Sequence, residues 1–272
     1  MVPSPSETKT LCDLCGSGQF TKLHEWPVGD FWNPATVPIA VWQCDQCRLV
    51  FLNPVPTAAQ LPDAGDWWST DRRQFQRRRW FKSRWAKVRS ALIGDSRDRL
   101  IRSTRSAVPA GKLLDIGCGC GDLMERARRY YDCVGLEPSP TAAAAVRAKG
   151  FPVLEATFEA AEIAPGSFDV VTMDAVIEHV PSPTAALRKI NSILRLQGVV
   201  ALKTPKFGGP AYRSHGPGWN GFRHGYHTFL FTGKTLGGFL EKTGFEVLAH
   251  PRRDRILDDI LILWGRKVRD VA

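Results

Sequence analysis

The stretch KLLDIGCGCGDLMERARR, residues 112–129, limits the fold of this chain more than any other. Lys112 to Asp115 reads as a buried strand, Gly117, Gly119 and Gly121 form a glycine-rich turn, and a helix opens at Asp122. Glycines let the backbone approach a ligand closely, and the start of the helix presents amide donors without intrahelical partners. Strand-to-helix turns of this kind also serve dinucleotides, so the turn alone leaves its ligand open.

The units that follow narrow the choice. DCVGLEPSP forms a second strand ending in Glu137, whose carboxylate is placed to accept hydrogen bonds from a ribose diol. TAAAAVRAKG is a helix stopped by Gly150, and FPVLEATFE is a third strand and loop. GSFDVVTMDAVIEHV is a fourth strand, SPTAALRKINSILRLQG a helix, and VVALKTP a fifth strand. Such alternation predicts an α/β fold, a parallel sheet covered by helices on both faces that binds its ligand at the strands' C-terminal ends.

With these motifs in place, residues from about 110 to 250 resemble a class I S-adenosylmethionine-dependent methyltransferase. The matching residues are the D-x-G-x-G-x-G of Asp115 to Gly121, Glu137, the SFDVV of Ser167 to Val171, the IEHV of Ile177 to Val180, and the LKTP of Leu202 to Pro205. The resemblance implies a Rossmann-like, doubly wound, seven-stranded and mainly parallel sheet, with S-adenosyl-L-methionine as cofactor. It places Gly117 and Gly119 against the methionine part and Glu137 at the ribose, with Asp115, Cys118, Gly121 and Pro138 also among the cofactor-binding residues. It puts Ala156, Thr157 and Phe158 beside the adenine and Asp174 on the floor near the sulfonium, with Ala175 also among the cofactor-binding residues. The adenine loop often carries an Asp where this chain reads ATFE, and the glycine pair common before strand five is QG here.

Ahead of that half, Cys12, Cys15, Cys44 and Cys47 stand in the pattern C-x2-C-x28-C-x2-C, two knuckles that can close a tetrahedral thiolate cage around a structural zinc ion. The strand-like pieces between them, broken by Pro and Gly, predict a long hairpin in a zinc-ribbon-like module over residues 1–65. A redox dithiol is the competing reading of each pair. Cysteine pairs ahead of this domain also resemble a bacterial subgroup that modifies sugars, surface glycans or secondary metabolites.

Between the two halves lies an unusual charge distribution. Residues 71–105 hold thirteen Lys or Arg against three Asp, and the rest of the chain balances at 24 of each sign, so this segment accounts for the whole net charge of +10. Thr70 to Ser90 contains neither Pro nor Gly, and Phe81, Trp85, Val88 and Leu92 form a narrow apolar stripe flanked by Arg77, Arg78, Lys82, Arg84 and Arg89. The segment reads as a basic linking helix in a linker or lid over residues 66–108. A solvated helix face, a phosphate-reading surface and an interfacial membrane helix all fit it. No apolar run approaches the roughly 20 residues of a spanning helix, and the start MVPSPSETKT has no apolar leader, so the expected location is cytoplasmic.

The methyltransferase half, residues 109–272, is interrupted over 206–231 by an irregular segment rich in Gly, His and aromatics, where an acceptor would bind. His179, His224 and His227 are candidate general bases and Tyr226 a candidate for orienting the acceptor. The reading that follows is O-methylation of a hydroxylated, anionic small molecule, sugar or glycan intermediate, with a phosphate-bearing acceptor fitting the basic segment. An RNA methyltransferase and a cofactor-binding assembly protein without turnover are the alternatives. Replacing Arg77, Arg78 and Lys82 by Gln is expected to raise the KM for an anionic acceptor while leaving kcat alone; an unchanged KM would reduce the segment to a solvated helix face.

Overall fold

The structure, a computed structural model, describes residues 8–30, 33, 35–57, 60, 95–222, 226–248 and 259–271. The basic segment over 70–90 and His224 lie outside the described residues. The first strands are β1 (Phe20–Trp26), β2 (Ile39–Cys44) and β3 (Val50–Leu52), followed by helix α1 (Ser96–Ala107). The chain then alternates through β4 (Gly111–Ile116), α2 (Asp122–Ala127), β5 (Tyr131–Leu136), α3 (Pro140–Ala148), β6 (Val153–Leu154), β7 (Phe168–Asp174), α4 (Pro183–Ile193) and β8 (Leu194–Pro205). It continues with α5 (Pro210–His215), two short 3-10 turns, β9 (Phe229–Leu230), α6 (Gly233–Lys242), β10 (Phe245–Val247) and β11 (Ile260–Lys267).

Seven strands form one sheet in the order β10-β11-β8-β7-β4-β5-β6. Only β11 runs against its neighbours; the pairings from β8 through β6 are parallel. Chain order reverses between β4 and β7, which opens a crevice at their C-terminal ends. Because side chains alternate across a strand, both faces of each central strand must be apolar. Leu114, Ile116, Val171, Met173, Val200 and Leu202 pack with α4 and α6 on one face. Leu113, Val170, Val199 and Ala201 pack with α1, α2 and α3 on the other. The helix read from the sequence over 182–198 stops at Ile193, where the buried Leu194 pairs with Phe168 as strand and Gln197 takes a φ of 69°.

The helix ends follow their sequence signals. Ser139 caps α3 and Ser182 caps α4, each followed by a proline that suits the first helical turn. Asp95 caps α1, and a reciprocal Thr232–Thr235 pair caps α6. Among the described residues no helix is long and apolar enough to cross a membrane.

The N-terminal strands make a second, antiparallel sheet in the order β1-β2-β3-β9. Its fourth strand comes from the far side of the chain: Val50 pairs with Leu230 and Phe51 with Phe229. The long connection between β1 and β2 is held by the buried Asn33, whose amide donates to the carbonyls of Trp26, Pro27 and Val37. One side of this sheet joins the main core through Phe51 and Leu49. The other, through Trp26, Ile39, Val41, Val50 and Leu52, packs against Trp219 and Phe222. The segment 206–231 is therefore propped from outside by the cysteine-bearing module.

The module also caps α4. Asp13, inside the first cysteine pair, accepts hydrogen bonds from the Thr184 amide at 2.9 Å and the Ser182 hydroxyl at 2.7 Å. Its carbonyl takes the Thr184 hydroxyl at 2.8 Å and the Lys242 ammonium at 2.7 Å. A carboxylate at a helix start satisfies orphan amides and opposes the helix dipole. Asp13→Ala is expected to cost about 1–2 kcal/mol in urea unfolding; a midpoint equal to that of the parent chain would show that the cap carries no stability.

Candidate cofactor cradle, acceptor cleft and cysteine cluster

The glycine turn sits at the C-terminal end of β4, where its backbone must bend sharply. Gly117 has a φ of 66°, and a Cβ there would lie 2.5 Å from Cγ2 of Val176. Side chains are excluded twice over, by conformation and by space. Gly119 and Gly121 also take positive φ, at 55° and 82°. Gly119 donates its amide to Oε2 of Glu137 at 2.9 Å, and the Ser139 amide donates to Oε1 at 3.0 Å. Glu137 is thereby locked at the end of β5, and each carboxylate oxygen retains a lone pair to accept a hydroxyl. Pro138 follows it, and Cys118 is buried beside it. Burial, with Asp115 and Glu137 nearby, pushes the Cys118 thiol up, and burial raises Cys133 to about 12, so neither suits a nucleophile.

Asp115 is buried and accepts the Thr172 hydroxyl at 2.7 Å. Burial raises its pKa to about 7, against the hydrogen bond from Thr172. Asp174, at the end of β7, lies between two cations. Arg97 of α1 donates from Nε at 2.6 Å, and the Lys203 ammonium makes a very short contact on the other side. Burial works to raise the Asp174 pKa, but the Lys203 and Arg97 charges more than offset it and hold the group below the usual carboxylate range. The next residue, Ala175, has a φ of 61° and donates its amide to the Lys203 carbonyl. A non-glycine residue in that region carries real backbone strain, which accumulates at functional sites.

Ala156, Thr157 and Phe158 form the loop after β6, with Phe158 buried. The loop is anchored by Lys189 of α4, whose ammonium donates to the carbonyls of Phe158 at 2.5 Å and Ala161 at 2.7 Å and lies over the Phe158 ring. Nothing local in the sequence points to Lys189 or to Arg97; each reaches its partner from a distant element. Lys203 stands in the LKTP motif, but its partner is visible only in the fold.

Beyond Ala175 opens a cleft of about 420 Å³, lined among others by Glu178, His227, Trp219, Asn220 and His215. His215, which reads as a surface residue in the sequence, is exposed and borders this cleft. His227 is buried and its Nδ1 donates to the Gly221 carbonyl at 2.7 Å. His179 does not line the cleft; its Nδ1 donates to the Tyr226 carbonyl at 2.8 Å, and its ring meets His227 edge-on at 4.7 Å. Tyr226 thus contributes a backbone group to this arrangement. Glu178, fully buried, has its pKa raised to about 7 by burial. It belongs to the IEHV motif, yet the sequence alone assigns it no role.

The four N-terminal cysteines converge. Cys12 and Cys47 are 3.5 Å apart at sulfur, as are Cys15 and Cys44, and all four sulfurs lie within 4.8 Å of one another. Sulfurs around one zinc ion sit about 3.8 Å apart for bonds of about 2.3 Å, so the cluster fits that ion. Burial opposes ionisation at Cys44, yet the amides of Cys47 and Gln46 hold its pKa at about 7. Gly16 and Arg48, each just after a pair, take positive φ and close the two knuckles. His24 stays outside the cluster, against Trp26 at 4.3 Å.

The model of a family described as a methyltransferase domain matches residues 69–250. Among curated relatives, the ubiquinone biosynthesis O-methyltransferase of Xanthomonas campestris pv. campestris is 33% identical over 110 residues, 38% of this chain and 46% of that protein. Its counterpart in Pseudomonas aeruginosa is 34% identical over 108 residues, 37% and 47%. The chain spans less than half the length of these relatives. Among solved structures, an S-adenosylmethionine-dependent methyltransferase from Mesorhizobium loti aligns with a TM-score of 0.52 at 18% identity, covering 64% of this chain and 99% of that one. The Burkholderia thailandensis 1,6-didemethyltoxoflavin-N1-methyltransferase, bound to 1,6-didemethyltoxoflavin and S-adenosylhomocysteine, aligns at 0.52 with 16% identity over 85% and 96%. At these identities the structural matches speak to the fold alone.

The raised pKa of Asp115 has a pH signature. Between its unfolded value near 4 and its folded value of about 7, the native state binds more protons than the unfolded state. Its contribution to stability is therefore largest at low pH and is lost as pH rises towards 7. Thermal melts of the cofactor-free chain from about pH 5 to about pH 8 should lose part of this slope in Asp115→Asn; identical slopes would mean that Asp115 titrates normally.

Proposed function

The chain belongs to the methyltransferase-domain family, and from that membership we propose that it moves a methyl group from S-adenosylmethionine to a hydroxyl of an anionic small molecule. The observation that carries this reading is the cleft of about 420 Å³ at Ala175, which adjoins the cradle and is walled by Glu178 and His227. Its size suits a small molecule. The O-methyltransferase names of the curated relatives support oxygen as the accepting atom.

S-adenosylmethionine supplies an electrophilic methyl group on a sulfonium centre. Gly117 to Gly121 let the backbone approach its methionine part, and Glu137 accepts the ribose hydroxyls from a carboxylate already oriented by the Gly119 and Ser139 amides. Lys189 fixes the Ala156–Phe158 loop, which would border the adenine. Asp174, kept ionised by Lys203 and Arg97, would form the floor of the cradle near the sulfonium. Methyl transfer is an in-line displacement, so most of the acceleration comes from alignment between cradle and cleft. Glu178 and His227 form the wall that withdraws the hydroxyl proton. His179 orients this wall through its contact with His227 and its hydrogen bond to the Tyr226 backbone. The N-terminal cysteines hold zinc in a structural role: four protein ligands leave no open position for chemistry.

The purified chain, given methyl-labelled S-adenosylmethionine and panels of phenols, phosphosugars and cellular RNA, should place base-stable label in small anionic hydroxyl compounds. Label confined to RNA, or absent from every fraction while S-adenosylhomocysteine still binds by calorimetry, would sink the proposal.

A further inference from the structure

We propose that Glu178, His179 and His227 form a binding site for a divalent transition-metal ion, separate from the cysteine cluster and open to the acceptor cleft. One carboxylate oxygen and two imidazole nitrogens, one from each residue, lie within 4.8 Å of one another. Closing such a set around an ion at about 2.1 Å takes shifts of about 1 Å or less per ligand.

Three features favour a cation over a purely structural cluster. The first is the orientation of the imidazoles. Nδ1 of His179 faces the Tyr226 carbonyl at 2.8 Å, and Nδ1 of His227 faces the Gly221 carbonyl at 2.7 Å. A carbonyl can only accept, so each Nδ1 carries a proton, and the nitrogen left to act as a ligand in the neutral tautomer is Nε2. Ring orientation and tautomer set by a backbone carbonyl are the usual arrangement around a metal-ligating histidine.

The second is Glu178. It is fully buried, and among the described residues neither carboxylate oxygen has a partner at hydrogen-bonding geometry; the Thr204 hydroxyl nearby, itself without one, lowers the Glu178 pKa without offsetting burial. Of the described cations, Lys203 and Arg97 are engaged by Asp174. A buried carboxylate without partners is costly, and a coordinated cation offsets that cost. Its backbone is fixed as well, because the Phe229 amide donates to the Glu178 carbonyl at 3.1 Å.

The third is access. Glu178 and His227 both line the cleft, so positions not taken by protein ligands face the space where an acceptor sits. Two imidazoles with one carboxylate suit first-row transition metals, whereas calcium and magnesium favour sites built from oxygen. On the hydroxyl-methylation reading, on which this step alone rests, an ion here would hold the acceptor oxygen and lower the pKa of its hydroxyl. Proton loss would then follow from coordination and would need no transfer to an imidazole.

The test uses the full chain loaded with one equivalent of zinc, which the four thiolates take first, and titrated with Co2+ by calorimetry and visible absorption. One further Co2+ per chain is expected, without the thiolate-to-cobalt bands that exchange at the cysteines would give. Glu178→Gln and His227→Asn should each weaken Co2+ binding at least about tenfold, with zinc still at one per chain and S-adenosylhomocysteine still bound. In the unsubstituted chain the ring resonances of His179 and His227 should shift on adding Co2+, a readout that does not depend on variants folding. Histidine resonances that stay in place, or Co2+ binding unchanged in both variants, would overturn the site. Failure of the parent chain to bind S-adenosylhomocysteine would count against the methyltransferase reading and leave the metal result standing.

Discussion

Two backbone hydrogen bonds around Thr228 and Phe229 hold the molecule's two sheets in a working relation. The Leu52 amide donates to the Thr228 carbonyl at 2.9 Å, and the Phe229 amide donates to the Glu178 carbonyl at 3.1 Å. A strand of two residues thus bridges the cysteine-bearing sheet to the turn after β7, from which the cleft wall rises. Such a short strand has little stability of its own; it persists because Phe229 and Phe231 are buried in the main core and Leu230 in the smaller one. Asp13 fastens the same region from a second direction by capping α4, whose cap residue Ser182 lies three residues beyond His179. The cysteine-bearing module therefore has a structural part to play in a cleft that it does not line.

The crevice shows how one fold gives neighbouring carboxylates different states. Asp115, Glu137, Asp174 and Glu178 all lie buried near the ends of three adjacent strands. Asp174 is held ionised by Lys203 and Arg97, whereas burial dominates at Asp115 and Glu178 and raises both to about 7. Glu137 is held by two backbone amides. A site for a cationic cofactor needs negative charge nearby, but several unpaired buried carboxylates would repel one another. Supplying two cations to one carboxylate and leaving two others close to protonation reduces that repulsion.

Much of the cofactor half is legible residue by residue. Alternating apolar runs and capped helices are local signals, and the glycines at 117, 119 and 121 announce a turn that only small, permissive residues can make. The Cys12–Cys15 and Cys44–Cys47 spacings likewise point to a common cage, because each knuckle is a local turn and only their meeting is long-range. The boundary between α4 and β8 has no such local signal. Residues 194–198 continue a helical-looking pattern, and it is pairing of Leu194 with Phe168 in the sheet that makes them strand.

The class of sheet, the position of the glycine turn, Glu137 at the end of its strand and the pairing of cysteine knuckles are local properties of the chain, because each depends on neighbours within one or two elements. Folding of the whole chain makes β9 complete the N-terminal sheet, lets Asp13 cap a helix some 170 residues away, and has Arg97 and Lys203 share Asp174. It likewise brought Glu178, His179 and His227 within reach of a single ion. The reason is physical: these contacts join residues far apart in the chain, and which of many polar side chains meet in the interior is chosen by the packing of whole sheets and helices, a choice that leaves no periodic trace in the sequence.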